Sequence, residues 1–145
     1  MKWKYILLHA LLKSIFFIPS ILIFLPTRDI SYDGNPTFSI ILWGFAVVLI
    51  FVVAIMNDAR PSLPKAFYSL KPVSVSEDFR TFGERIIKAY LPGPLMFGII
   101  LAIIALLLKS DDYLLVMLIA FNNLAGRIIE GEINIRRYNN GEEFA

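Results

Sequence analysis

The chain has 145 residues, of which 57% are hydrophobic and 18% charged, and its mean hydropathy is +0.67. A soluble domain of this length could not bury so much apolar surface, so the composition favours an integral membrane protein. The net charge of +2, spread along the chain, gives no support to nucleic-acid binding, and the absence of cysteine excludes disulfides and thiolate chemistry.

The first apolar segment, residues 5–25, is long enough to cross a bilayer, yet it is not purely apolar. No small-residue cleavage site follows it, so we expect a retained helix rather than a cleaved secretory signal. At about 100° per residue, one narrow stripe of this helix carries the polar side chains Lys2, His9, Lys13, Ser20 and Thr27. Because a lysine deep in a bilayer is costly, we expect this stripe to face protein or water rather than lipid.

A second apolar segment, residues 37–56, leads into the one long connection, residues 57–89. Prolines near its start predict that the first part of this linker is not helical. Further on, Ser74–Glu77 has the pattern of a capping box. Apolar residues then recur at three- and four-residue steps beside charged ones, at Phe79, Phe82, Ile86 and Tyr90 and at Arg80, Glu84, Arg85 and Lys88. This spacing predicts a short amphipathic cytoplasmic helix, which either lies along the membrane surface or extends the third span.

Two further apolar segments, residues 90–108 and 113–133, complete a prediction of four transmembrane helices arranged as two hairpins. In the third segment, Gly98, Ala102 and Ala105 share one face. Small residues at this spacing let helix backbones approach closely, so we expect a packing contact there, either within the chain or between copies in an oligomer.

Basic residues predict the orientation of these spans. Eleven Lys and Arg residues lie before the first span, in the linker, or near and beyond the end of the fourth span. On the opposite side there are only Arg28 and Lys109, and Lys13 lies within a span. The bias places both termini in the cytoplasm, so residues 1–145 are predicted to form a single all-α, four-helix-bundle domain in a bacterial inner membrane. The tail after Asn140 is expected to fray in the cytoplasm.

The fourth segment carries a second polar stripe, at depths that match the polar side chains of the first segment when 1.5 Å is counted per residue. We therefore predict that the two stripes face each other, because pairing removes much of the cost of polar groups in hydrocarbon. This intramembrane polar cluster consists of His9, Lys13, Asn122, Asn123, Arg127 and Glu130. It is either a packing feature or a functional site such as an ion path.

No combination of residues indicates an enzyme. The single histidine does not suggest a catalytic triad, and the sequence contains neither an HExxH motif nor a phosphate-binding glycine loop. Glu130 and Glu132 are two positions apart on a helix and point to different sides, so they do not form a paired acidic site. Tyr90 lies at a predicted membrane boundary, as is typical of an aromatic belt. We expect no cofactor and no metal.

Two functions remain open. The first is a non-enzymatic membrane protein that binds a membrane partner through protein–protein interaction, as an immunity or exclusion factor or as an accessory subunit of a larger complex. The alternative is a small oligomeric transporter or channel, coupled to ions or protons, in which His9, Lys13 and Glu130 form the polar path. The bilayer and either another membrane protein or further copies of the chain are the expected partners.

Overall fold

The computed structural model describes residues 2–27, 36–70, 79–110 and 113–144, and every element within them is helical. The all-α prediction is therefore confirmed. The elements are α1 (Trp3–Thr27), α2 (Pro36–Ala59), α3 (Lys65–Leu70), α4 (Phe79–Arg85), a π-helical turn (Ile86–Tyr90), α5 (Pro92–Leu107) and α6 (Tyr113–Asn139). The chain divides into two compact units, Met1–Pro61 and Ser62–Ala145.

The first unit is a hairpin of α1 and α2. The backbone amide of Lys2 donates a hydrogen bond to Oδ2 of Asp58 at 3.1 Å, so the start of α1 lies beside the end of α2. The helix α1 continues through Pro19 without ending. In the part of α1 whose side chains the structure describes, residues 3–19, Ile6 and Ala10 are buried, whereas most other large apolar side chains are exposed.

The second unit is built around α6, whose two halves have different surroundings. Large apolar side chains from Tyr113 to Phe121 are exposed, and α5 packs along this helix. From Ala125 to Arg137, by contrast, most side chains are buried, and the π turn contacts α6 there. We call this part of α6, together with the segments that contact it, the base. The base comprises residues 62–70, 79–91 and 125–144.

Candidate membrane spans are fewer than the sequence predicts. Within the described residues, only α6 is by itself long and apolar enough to cross a membrane. The segments Phe79–Tyr90 and Pro92–Leu107 pass the same test as a pair that is bent by 45°. One or two candidate spans are thus found by length and composition, and the four-span arrangement remains a proposal.

The linker contains a helix that the sequence did not predict. The helix α3 begins directly after Pro64, and the amide of Phe67 donates to the carbonyl of Pro64 at 2.9 Å. The prediction of a non-helical start was wrong here because a proline interrupts a helix only in its interior. At the first turn its missing N–H is not needed. The predicted capping box, Ser74–Glu77, lies outside the described residues.

The prediction that the chain frays after Asn140 was also wrong. Gly141 adopts a positive φ of 84°, and the amide of Glu142 donates to the carbonyl of Arg137, which closes α6 with a Schellman-type turn. The tail then folds back, because Nε of Arg137 donates to Glu142 at 2.7 Å and the Phe144 ring lies 6.0 Å from that of Tyr138. The last turn of α6 thus gains both an ion pair and an aromatic contact.

Candidate functional site

The most concentrated polar contact of the base joins the linker to α6 through one carboxylate. Nε and Nη2 of Arg85 donate to the two oxygens of Glu132 at 2.8 and 2.9 Å, which is the bidentate geometry of a strong arginine–carboxylate pair. The hydroxyl of Tyr90 donates to Oε1 of the same carboxylate at 2.9 Å. We call these three residues the carboxylate clamp.

Burial makes the clamp energetically important. The Arg85 side chain is 1% exposed and that of Glu132 25%, while Tyr90 is buried as well. A guanidinium removed from water to this extent needs its charge partner, because an unpaired buried charge costs several kcal/mol. The Arg85 guanidinium also lies 5.7 Å from the Phe82 ring centroid.

The π turn explains how two residues of one helix reach the same carboxylate. Arg85 and Tyr90 are five positions apart, so a regular α-helix would point them about 140° away from each other. In the π turn, the amide of Leu91 instead bonds to the carbonyl of Ile86, five residues earlier, at 2.8 Å. This wider turn brings Tyr90 to the side of the helix that faces Glu132. Single π turns inside helices are frequent at functional sites.

Gly131 provides the space for the clamp on α6. A Cβ atom at this position would lie 2.6 Å from Cζ of Tyr90, which is closer than side-chain packing allows. The tyrosine therefore reaches Glu132 only because the preceding residue has no side chain.

Other contacts hold the base together around the clamp. Asn134 is fully buried, and its Nδ2 donates to the carbonyl of Ser62 at 2.9 Å, which ties the start of the linker to α6. Nearby, the Phe67 ring meets that of Tyr138 edge-on at a centroid distance of 5.5 Å. The linker is therefore attached to α6 at three successive levels.

The helix predicted between the second and third spans is present, but the burial of its residues differs in part from the prediction. Arg85, predicted among the charged residues that flank the apolar face, is buried, and Phe79, predicted on that apolar face, is 85% exposed. The burial of Arg85 differs from the prediction because the bidentate pair with Glu132 holds its guanidinium against α6, and no local periodicity signals that partner. The exposure of Phe79 is compatible with the predicted contact to a membrane surface. Within the described residues, this helix neither continues α5 in a straight line nor crosses it at a right angle, since the bend is 45°.

The predicted intramembrane polar cluster is divided between the two units. His9 is buried and Lys13 half-buried in α1 of the first unit. In the second unit, Asn123 accepts a hydrogen bond from Nε of Arg127 at 3.3 Å, and Asn122 and Glu130 are half-buried. Each half of the cluster is thus located, while their pairing stays a prediction.

The small residues of the third predicted span lie on α5. A Cβ atom at Gly98 would be 3.3 Å from Cβ of Ala120 on α6, so the two helices approach closely at this level. Ala105 is buried and Ala102 partly so. The packing face predicted from the sequence therefore includes at least one internal contact, at Gly98.

Sequence reasoning missed the clamp itself. The sequence placed Arg85 among the charged residues that flank the apolar face of the linker helix, Tyr90 in an aromatic belt and Glu132 in no role. One signal was available, namely a glycine directly before a glutamate in the polar end of a long helix, since glycine in a helix interior is destabilising without a packing reason. With both oxygens of Glu132 engaged, the clamp fixes a position rather than offering a reactive carboxylate.

Comparison of the chain with protein-family models, with curated proteins and with solved structures finds no match.

Proposed function

We propose that this chain is a small non-enzymatic integral membrane protein whose base binds a membrane partner, as an immunity or exclusion factor or as an accessory subunit of a membrane complex. In this proposal α1, α2, α5 and α6 cross a bacterial inner membrane as two hairpins. Both termini and the base lie in the cytoplasm.

Helix lengths and charge support the four crossings. At 1.5 Å per residue, the 25 residues of α1 and the 24 of α2 extend over about 37 and 36 Å, more than the roughly 30 Å of a hydrocarbon core. The hydrogen bond between Lys2 and Asp58 places the start of α1 and the end of α2 at the same end of their hairpin. Eleven Lys and Arg residues lie on the proposed cytoplasmic side of the membrane, and two lie on the opposite side.

The division of the second unit into an apolar and a polar part is further support. Most large apolar side chains are exposed from Leu95 to Leu108, on α5 and directly after it, and from Tyr113 to Phe121 on α6. We call these two stretches the apolar band. No charged residue occurs from Pro92 to Leu108. Such a continuous exposed surface would make a soluble protein aggregate, whereas a bilayer covers it.

The observation that carries the partner-binding function is a set of exposed apolar and charged side chains on the base. The apolar side chains of Tyr68, Phe79 and Ile87 are exposed there. The exposed charged residues Arg80 and Lys88 directly follow the last two in the sequence. Aromatic residues and arginine are enriched where proteins bind each other. The carboxylate clamp holds this helix against α6, so the surface is presented in one orientation at little entropic cost.

The proposal predicts that a double replacement on this surface, Phe79→Ser with Ile87→Ser, releases a partner. The tagged wild-type chain, solubilised from native membranes in a mild detergent, should retain a second protein in stoichiometric amount. The double variant should lose most of it, since a few central apolar residues carry most of the binding energy of an interface. The amount of co-purified protein is measured by quantitative mass spectrometry.

A matched control is Leu108→Ser, which removes an exposed apolar side chain directly after the end of α5. It should leave the partner bound. Recovery of the chain alone from native membranes, or equal retention by the double variant, would contradict the proposal.

The alternative function, an ion- or proton-coupled transporter or channel, is supported by the burial of the His9 imidazole within α1. It predicts that His9→Gln, Lys13→Met and Glu130→Gln abolish transport in folded, inserted protein. It also predicts recovery of a homo-oligomer rather than a hetero-complex in the purification above.

A further inference from the structure

Arg127 lies where the apolar band of α6 gives way to the base. The last large exposed apolar residue of α6 is Phe121, and the buried part of the helix begins at Ala125. On α5 the band begins at Leu95, only two residues after Gly93, which the Arg127 guanidinium contacts. Arg127 itself is exposed. In the proposed topology this level is the cytoplasmic edge of the hydrocarbon core.

The guanidinium of Arg127 is held in one position from two sides. Its Nε donates to Oδ1 of Asn123, one helical turn earlier, at 3.3 Å. Its other edge lies directly over Gly93 at the start of α5, where a Cβ atom would be 2.6 Å from Nη1 and 3.0 Å from Nη2. An exposed arginine side chain ordinarily loses much entropy when it binds, and this fixed position removes part of that cost.

The polar contacts of Arg127 differ from those of the buried arginines of the base. Arg85 pairs with Glu132, and Arg137 pairs with Glu142. Among the residues that the structure describes, no carboxylate forms an ion pair with Arg127. Because Nε is already engaged by Asn123, the two terminal nitrogens are the donors that remain for an external anion.

We propose that Arg127 is a binding site for the phosphate group of a membrane lipid. A guanidinium presents parallel donors that match two oxygens of a phosphate, and it is more weakly hydrated than an ammonium group. A lipid fits this position better than free phosphate does, because its acyl chains would lie along the adjacent apolar band. The inference rests on the proposed insertion of α5 and α6 in a membrane.

The test is a lipid titration of the purified full-length chain in detergent, followed by native mass spectrometry. Phosphatidylglycerol is the probe, and a glucosyl diacylglycerol without phosphate is the matched lipid. Loss of a bidentate charge-assisted contact in Arg127→Gln should weaken phosphatidylglycerol binding roughly tenfold. Binding of the glycolipid should not change.

Two further variants keep the test independent of folding and of net charge. Gly93→Ala retains the arginine but displaces its guanidinium, so it should also weaken phosphatidylglycerol binding. Arg136→Gln removes the same charge from an exposed position nine residues further along α6, beyond the band, and should bind phosphatidylglycerol like the wild type.

The inference is overturned if Arg127→Gln binds phosphatidylglycerol as tightly as the wild type, or if Arg136→Gln weakens binding equally, which would indicate unspecific charge attraction. Full competition by millimolar inorganic phosphate would assign the site to free phosphate instead of a lipid. Each of these results leaves membrane insertion intact. Recovery of the chain in the soluble fraction of cells would, in contrast, refute the proposed function itself.

Discussion

Replacing Glu132 with leucine is expected to detach the linker helix from α6 and to cost about 3–5 kcal/mol in the stability of the base. The replacement leaves the guanidinium of Arg85, which is 1% exposed, without its bidentate partner, and it removes the acceptor of the Tyr90 hydroxyl. Most of the effect is thus the cost of an uncompensated buried charge rather than the loss of a favourable pair.

Amide hydrogen exchange measures this change where it occurs. Peptides that cover residues 79–91 should exchange at least about 100-fold faster in Glu132→Leu, because each 1.4 kcal/mol of local opening free energy is a factor of ten. The double variant Arg85→Met with Glu132→Leu should recover most of the protection, since it replaces the ion pair by apolar groups of similar volume.

A surface glutamate of the same linker helix is the matched control. Glu84 pairs with Arg80 at 3.4 Å and with Lys88 at 3.7 Å, and all three side chains are at least 36% exposed. Such pairs contribute about 0–1 kcal/mol, so Glu84→Gln should leave the exchange of residues 79–91 nearly unchanged. Equal exchange in Glu132→Leu and Glu84→Gln would show that the clamp does not hold the base.

Replacing Gly131 with alanine is expected to destabilise the protein, although alanine is the better helix former. The added methyl group would overlap the Tyr90 ring, 2.6 Å from its Cζ atom, so the tyrosine must leave Glu132 or the helices must separate. Overpacking of this kind costs about 1–3 kcal/mol. A loss of 2 kcal/mol would lower the melting temperature of the purified chain by about 4–8 °C.

Gly83 supplies the comparison for this substitution. It lies in α4, and a Cβ atom there would have nothing within 4 Å. Gly83→Ala should therefore raise stability by up to about 1 kcal/mol through helix propensity alone. A melting temperature that rises in both glycine variants would mean that Tyr90 does not occupy the space above Gly131.

The long helices were predictable because hydrophobicity alone defines them. Each of the segments 5–25, 37–56, 90–108 and 113–133 lies on an observed helix whose ends are within a few residues of the predicted ones. The end of α6 differs most, because the helix extends beyond residue 133 to Asn139. Its polar end is unsuited to lipid and packs against the linker. A hydropathy pattern ends where polar residues begin, whether or not the helix also ends there.

The carboxylate clamp was not predictable in the same way. Arg85 and Glu132 are 47 residues apart, and no local periodicity relates two such positions. The position of Tyr90 depends in addition on a π turn, which reads in the sequence like an ordinary α-helical step of four. The folded-back tail combines a local signal, glycine at position 141, with an aromatic contact of Phe144 that only the folded base provides.

The most direct test of the account is the topology of the chain, which contains no cysteine and therefore allows single cysteines to be labelled without background. In the proposed topology, Ser31→Cys and Ser110→Cys lie between paired spans, whereas Ser62→Cys and Asn140→Cys lie in the base. In intact cells, a membrane-impermeant maleimide should label only the first two variants, and after permeabilisation it should label all four. Labelling of Asn140→Cys in intact cells, or protection of Ser62→Cys and Ser110→Cys alike, would contradict four crossings with a cytoplasmic base.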